Sequence, residues 1–449
     1  MRRRTVLATT TGLLTCGLAG CTSDPGGSPS NGNTTGTPTD DPAAPIDIPT
    51  GTWPQIGYDA RNTRHTPDAT GPRDAAEIAW SGLGDRPVYP SVINDESLYL
   101  TEGWTGGTAF ALATRDGTEQ WSNSALPPMR WAPALHEHRL LVLTRAEGNV
   151  VRLHALDTES GDTLWSRQEG ITASSSGRPP ISPTVRGETV YIPSNRGITT
   201  CDATTGDIEW TAELGPHVVE TEDGPTWRTD WAKPAVTADR AVTFDMNGSY
   251  RKTREVYAVN RASGTRDWTA ELDVGDGWYL KGHVVAGESR LFVSALKPHV
   301  SAGMDDSPWS GTERLFALEA DTGAIAWSWD LPRKTLTPPA YADGTLYVGE
   351  WYPDADTGRL HALDAADGNI DWTYETEIGA VLSPTVTTDT IYMGQGDELA
   401  AVDRTDGNQR WQLSIGDRVG PPVVVGDTAF VQTSPGHNSD SRLLAIQEP

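Results

Sequence analysis

Lysine is scarce in this chain, five of 449 residues, yet three of the five head similar short segments. Lys233 lies in DWAKPAV, Lys281 in WYLKGHV and Lys334 in RKTLTPPAY. Each precedes an apolar run, and arginine and tryptophan crowd matching stretches at Arg86, Arg130, Trp131, Trp231, Trp278, Arg333 and Arg418. Cations gathered at one opening would focus a field on an anionic ligand, and indole rings beside them offer stacking faces. Arg130, Lys233, Lys281 and Arg418 are therefore the candidate anion contacts, with Trp231 and Trp278 as candidate stacking rings. The competing reading is that these cations neutralise acidic rims and bind nothing.

Other reactive side chains form weaker patterns. His217 stands in PHVVETEDGPTWRTDW with Glu220, Glu222, Asp223, Arg228 and Asp230, and His299 precedes Asp305, Asp306 and Trp309. Neither stretch has compact metal-ligand spacing, so no metal site is assigned. Both read as lengthened loops, which bind partners or merely space the scaffold. Of the three cysteines, Cys16 and Cys21 fall at the amino end and Cys201 stands alone, which rules out a disulfide framework. Cys201 occupies an apolar position of a repeated phrase and is expected to be a buried structural thiol.

Those phrases are the elements that must position everything else. Seven near-copies end in tryptophan, from ALATRDGTEQW at Trp121 through ALDTESGDTLW at Trp165 and TCDATTGDIEW at Trp210 to AVNRASGTRDW at Trp268. ALEADTGAIAW, ALDAADGNIDW and AVDRTDGNQRW continue the series to Trp327, Trp372 and Trp411. From Trp80 onward the intervals are 41, 44, 45, 58, 59, 45 and 39 residues. Each interval holds short runs of alternating apolar residues separated by Gly, Asp and Asn, which reads as four antiparallel strands. Units of this length cannot bury both faces alone and must stack, as the blades of a β-propeller do.

The count predicts eight blades. Seven full units run from residue 81 to Trp411, and the last 38 residues supply three strands without a closing tryptophan. The missing outer strand is AAEIAW, ending at Trp80, so the ring is expected to close by pairing the two ends of the 51–449 segment. An x-Pro step recurs in the innermost strands, and Tyr89, Ala132, Ser182, Lys233, Lys281, Pro338, Ser383 and Pro421 stand immediately before it.

Residues 1–20 read as an export signal: Arg2, Arg3 and Arg4 precede an apolar stretch too short to span a bilayer. Arg3-Arg4-Thr5-Val6-Leu7 resembles a twin-arginine signal, and Leu18-Ala19-Gly20-Cys21 resembles a lipobox that would lipidate Cys21. Residues 21–50 have the Ser, Gly, Thr and Pro content of a flexible tether. The expectation is a lipid-anchored head, monomeric, on the outer face of the cell membrane. With 61 acidic against 35 basic residues the surface repels nucleic acid. Abundant Asp with little Lys, beside such a leader, resembles exported proteins of haloarchaea.

The repeat itself resembles the quinoprotein-type, PQQ-like propeller family, whose blades carry A-x-D-x-x-T-G-x-x-x-W. The opening WPQIGYDARNTRHTP, from Trp53, resembles that family's lead-in. The resemblance spans residues 50–449 and implies two functional classes. One is a non-enzymatic scaffold similar to the BamB lipoprotein, binding a membrane or cell-surface protein or a small anionic ligand at the channel, with no cofactor. The other is a dehydrogenase holding pyrroloquinoline quinone (PQQ) with Ca²⁺, in which Asp230 would be the base and Lys281 the basic group near the quinone. A third reading is a solute-capturing ectodomain. The cysteine pair and haem motif of several quinoprotein dehydrogenases are absent, which favours the scaffold.

Overall fold

The described strands run from two to nine residues, so stability depends on packing sheet against sheet. The computed structural model describes residues 51–449 apart from 84–91, 95, 103–106, 130–131, 147–149, 169–181, 195, 216–217, 222–223, 228–230, 247–253, 276, 299–310, 332–337, 352–356, 378–380 and 435–441. The described residues are all-β, without a helix, and form an eight-bladed β-propeller. Blades 1 to 7 are consecutive antiparallel meanders of four strands. Blade 1, for example, runs Val92–Ile93, Ser97–Thr101, Ala109–Ala113 and Glu119–Asn123 from the channel outward. A separate hairpin, Val218–Thr221 with Gly224–Trp227, precedes blade 4 within the first long interval.

Blade 8 joins the two ends. Val423–Val425, Thr428–Ser434 and Leu443–Gln447 supply three strands, and Glu77–Gly82 adds the outermost. Trp80 faces Ala445 across that seam, as Trp121 faces Ala111 and Trp165 faces Ala155 in ordinary blades. Closure gives the last blade its fourth strand from the other end of the described chain.

The tryptophan phrase works between blades. Trp80, Trp121, Trp165, Trp210, Trp268, Trp327 and Trp372 each lie against a glycine of the next blade's outer turn: Gly117, Gly161, Gly206, Gly264, Gly323, Gly368 and Gly407. A methyl group on any of these glycines would come within 2.4–2.8 Å of the indole. All seven have φ between 68° and 78°, so the chain needs glycine there both for its left-handed backbone and for the ring above it. Several indole N–H groups then donate to a carbonyl of that turn, as Trp121 does to Thr158 (2.9 Å) and Trp327 to Ala365 (3.1 Å). The turn is braced from within: Asp157 Oδ1 accepts from the Glu159 and Ser160 N–H groups at 3.0 and 2.9 Å. Those N–H bonds hold the Asp157 carboxyl below the usual carboxylate range.

Trp411 has no such turn to meet, because blade 8 ends in the chain seam. Its N–H donates instead to the Pro72 carbonyl at 2.7 Å, and Gly71, with φ 60°, lies under the Tyr392 ring. The segment before the first strand thus stands in for the missing turn.

Cys201 is fully buried beside the blade 3 turn, and burial pushes its thiol up to about 12. It is the inert core residue expected from its place in the phrase.

A pair of glycine substitutions separates the two roles. Gly187, with φ 57°, has open space where a methyl would sit, whereas Gly161 has the Trp121 ring 2.4 Å away. Gly187→Ala should lose roughly 1 kcal/mol from backbone strain alone. Gly161→Ala should lose about 2 kcal/mol more by overpacking, read from denaturation midpoints. Equal losses would contradict ring-on-glycine docking.

Candidate functional site

The innermost strand of every blade has one edge with no neighbour, and buried N–H groups on such an edge need acceptors. The lead-in from Trp53 to Gly71 supplies them, visiting all eight blades in order. Trp53 exchanges two bonds with Ile93 of blade 1, and the Leu135 N–H of blade 2 donates to the Pro54 carbonyl at 2.7 Å. Gln55 uses its side-chain amide on Val185 of blade 3, accepting at 2.8 Å and donating at 3.2 Å. Val236, Ala286, Tyr341 and Val386 of blades 4 to 7 then donate to Ala60, Arg61, Thr63 and Arg64 at 2.7–2.9 Å. In blade 8 the Gly426 carbonyl accepts from Thr70 and Gly71. One end of the channel is therefore crossed by a strap of chain.

The x-Pro step explains the second layer of bonds. Proline donates nothing, so the inner strand breaks there while its carbonyl stays available. Asn62 Nδ2 donates to the carbonyls of Pro234 (3.3 Å) and Val284 (2.9 Å), joining blades 4 and 5. Arg64 donates through Nε to Pro384 and through Nη2 to Pro422, each at 2.9 Å, and to Thr385 Oγ1 at 2.8 Å, joining blades 7 and 8. Its guanidinium also lies 5.4 Å from the Trp53 ring centroid. Asn62 and Arg64 both have left-handed φ, 63° and 52°, a strained backbone held by the bonds around it.

Lys233 is the sequence candidate that reaches this layer. It is only 3% exposed, and its ammonium donates to Asn62 Oδ1. Burial lowers its pKa to about 7, with Asp59 opposing weakly. A lysine lowered in the folded state costs stability while charged: the cost is full below about pH 7 and fades as pH rises toward the ordinary lysine range. Arg64 is lowered to about 10 by burial. His283 is lowered to about 3 by burial, then by the charges of Lys233 and Arg64.

Lys281 does not occupy the position of Lys233. The blade 5 strand carries two extra residues here, with Gly282 at φ 75°: Lys281 faces Ser294 while Val285 faces Phe292. The Val284 and Pro234 carbonyls meet the same Asn62 amide, so His283 stands level with Lys233. Lys281 instead pairs with the fully buried Glu313 of its own blade. Burial lowers its pKa against the raising effect of that carboxylate.

The remaining candidates are dispersed. Trp231 is 2% exposed and packs edge-on against Tyr257, with centroids 5.3 Å apart. Trp278 is covered by the Arg314 guanidinium at 5.6 Å, and Arg314 is bound to Asp330. Arg418 is exposed in the first inner segment of blade 8. Arg130 and Asp230, like Cys21, His217, His299 and Lys334, lie outside the described residues.

A tricarboxylate quinone with calcium needs cationic groups, a free aromatic face and a carboxylate cluster at one place. The described residues do not provide that combination. Trp231 is core and Trp278 is covered. The one described metal-capable trio, His136, Glu137 and Glu188, lies on the turns of blades 2 and 3, with both glutamates exposed.

A family model described as outer membrane protein assembly factor BamB matches residues 73–243 and 252–447. The chain belongs to that family of PQQ-like propellers. None of the curated proteins matches it. Among solved structures, quinohemoprotein alcohol dehydrogenase from Comamonas testosteroni is similar at 15% identity and a TM-score of 0.59, over 90% of this chain and 81% of that one. A europium-containing methanol dehydrogenase matches at 14% identity and 0.60, over 88% and 98%. BamB from Moraxella catarrhalis matches at 14% and 0.57, over 83% and 100%. These likenesses establish the fold, which serves enzymes and assembly factors alike.

The Lys281–Glu313 pair gives a direct test of its role. Lys281→Met should destabilise by roughly 3 kcal/mol, because it strips a buried carboxylate of its cation. Lys281→Met with Glu313→Leu should return to within about 1 kcal/mol of the parent in a denaturation series. A double variant as unstable as the single one would contradict a structural pairing.

Proposed function

We propose that this protein is a non-enzymatic binding or assembly scaffold, displayed as a lipoprotein on the outer face of the cell membrane. The observation that carries the reading is the engagement of the channel cations. Lys233 holds Asn62, Arg64 holds carbonyls of blades 7 and 8, and Lys281 holds Glu313. Arg64 and Lys233 hold strap to ring, and Lys281 is paired within blade 5. Membership of the BamB family supports a scaffold, and the leader with Cys21 supports anchoring. The partner is a membrane or cell-surface protein, met by the propeller's loop faces. The acidic composition supports a haloarchaeal source, where solubility in high salt is the role of the charge.

Two measurements test this. Titrating the protein with PQQ and Ca²⁺ in high salt should produce no saturable change in tryptophan fluorescence or quinone absorbance. Stoichiometric, calcium-dependent binding would overturn the scaffold reading in favour of the dehydrogenase. Cys21→Ala should shift the protein from the membrane fraction to the medium, while retention on the membrane would contradict lipid anchoring.

A further inference from the structure

The inner strand of blade 2, Ala134–His136, turns into the next strand, Arg139–Ala146, through Glu137 and His138. The matching turn of blade 3, between Thr184–Arg186 and Thr189–Ser194, is made of Gly187 and Glu188. Together the two turns bring one ligand atom each from His136, Glu137 and Glu188 within 4.8 Å of one another. His136 Nε2 lies 3.1 Å from Glu188 Oε2 across the blade junction. Arg139 Nη1 meets Glu137 Oε2 at 3.1 Å, and the other oxygen of that carboxylate is left for a ligand.

Both spacing and charge suit a metal ion. Bonds of ~2.1 Å set neighbouring ligand atoms ~3.0 Å apart in an octahedral site and ~3.4 Å apart in a tetrahedral one. The separation of His136 and Glu188 falls within that range. Asp157 lies close enough to feel the charge of His138, and Asp202 that of His136, so two further carboxylates surround the pair. Carboxylates alone are common on an acidic surface, and the imidazole sets this junction apart. The His136 side chain is 8% exposed, whereas those of Glu137 and Glu188 are 60% and 66% exposed. Blade 3 has Arg186 in the same place, where its Nη1 donates directly to the Val236 carbonyl of blade 4 at 2.9 Å. The shorter His136 ring ends instead between carboxylates that solvent reaches. Glu137 also takes φ 50° where blades 3 and 8 use Gly187 and Gly426, at 57° and 59°. A glutamate there sets a second carboxylate beside the ring despite the backbone strain.

We propose that His136, Glu137 and Glu188 bind one divalent ion of the zinc class across the junction of blades 2 and 3. One imidazole with two carboxylates is a nitrogen–oxygen donor set that suits zinc. Calcium and magnesium take oxygen ligands, so the ring selects against them. With three protein ligands, two of them exposed, a coordination position stays open to solvent. The ion ties the turn of blade 2 to the turn of blade 3. The site lies apart from the inner-strand cations and is independent of the scaffold reading.

Calorimetric titration of the chelator-treated protein with Zn²⁺, repeated in a large excess of Ca²⁺, tests the proposal. One equivalent should bind at the junction, and Ca²⁺ should not displace it. Zinc should also raise the thermal unfolding midpoint, because the folded state alone presents the three ligands together. Glu188→Gln, a change of the same shape on an exposed side chain, should weaken this binding by at least about tenfold and abolish the midpoint shift. Glu159→Gln removes an exposed carboxylate from the nearby outer turn of blade 2 and should leave both readouts unchanged. Zinc held elsewhere on the chain would survive Glu188→Gln. Absence of binding, displacement by Ca²⁺, a titration unchanged by Glu188→Gln, or equal losses in the two variants would overturn the proposal.

Discussion

An inner strand at a propeller's axis has a partner on one side only. Eight such edges face one channel here, and unsatisfied N–H groups at the end the strap crosses would each cost of the order of 1–3 kcal/mol. The strap from Trp53 to Gly71 meets that constraint by giving one acceptor group to each of blades 1 to 7 and two N–H groups to blade 8. It holds left-handed φ values at Tyr58, Asn62 and Arg64 to do so. The blades fix their spacing through tryptophan and glycine at the periphery, and the strap fixes it at the centre. Ring closure needs both, because the same N-terminal segment also supplies the turn for Trp411 and the outer strand of blade 8.

This arrangement gives the channel cations a physical role that composition alone conceals. In a chain with net charge −26, the buried Lys233 is held by an amide oxygen rather than by a carboxylate. Lys233 and Arg64 lie between blades and strap, at positions where a positive donor can reach several carbonyl or amide oxygens. Lys281 has a private carboxylate, Glu313, inside blade 5. The charges are structural first, and whatever binds at the axis must do so on terms that the strap already sets.

Much of the fold was legible in the sequence, because a phrase repeated seven times shows its own periodicity. The blade number, the seam at Trp80 and the buried Cys201 all followed from alignment of near-copies. The phrase does not show that each tryptophan rests on the following blade's glycine. The axis was harder to read. The x-Pro step marked the right strands, but Gly282 opens a two-residue bulge and looks like a substitution for proline, so that Lys281 rather than His283 takes the place of Lys233 in the sequence reading. Asn62 and Arg64 were missed for a different reason. They lie in a segment without periodicity, where function depends on long-range backbone bonds that leave no spacing signature. The arginine and asparagine beside the lead-in's glycine and aromatic residues were the available signal.

The central claim is that the lead-in is a hub hydrogen-bonded into every blade, and amide hydrogen exchange in the native protein tests it most directly. The amides of Val236, Ala286, Tyr341 and Val386 have the strap as their acceptor. If the strap is part of the cooperative fold, these four should exchange as slowly as the central strands of their blades, through global unfolding. Rapid exchange at those amides, beside protected strands such as Ile391 and Val402, would mean that the strap lifts from an intact ring and would contradict the account.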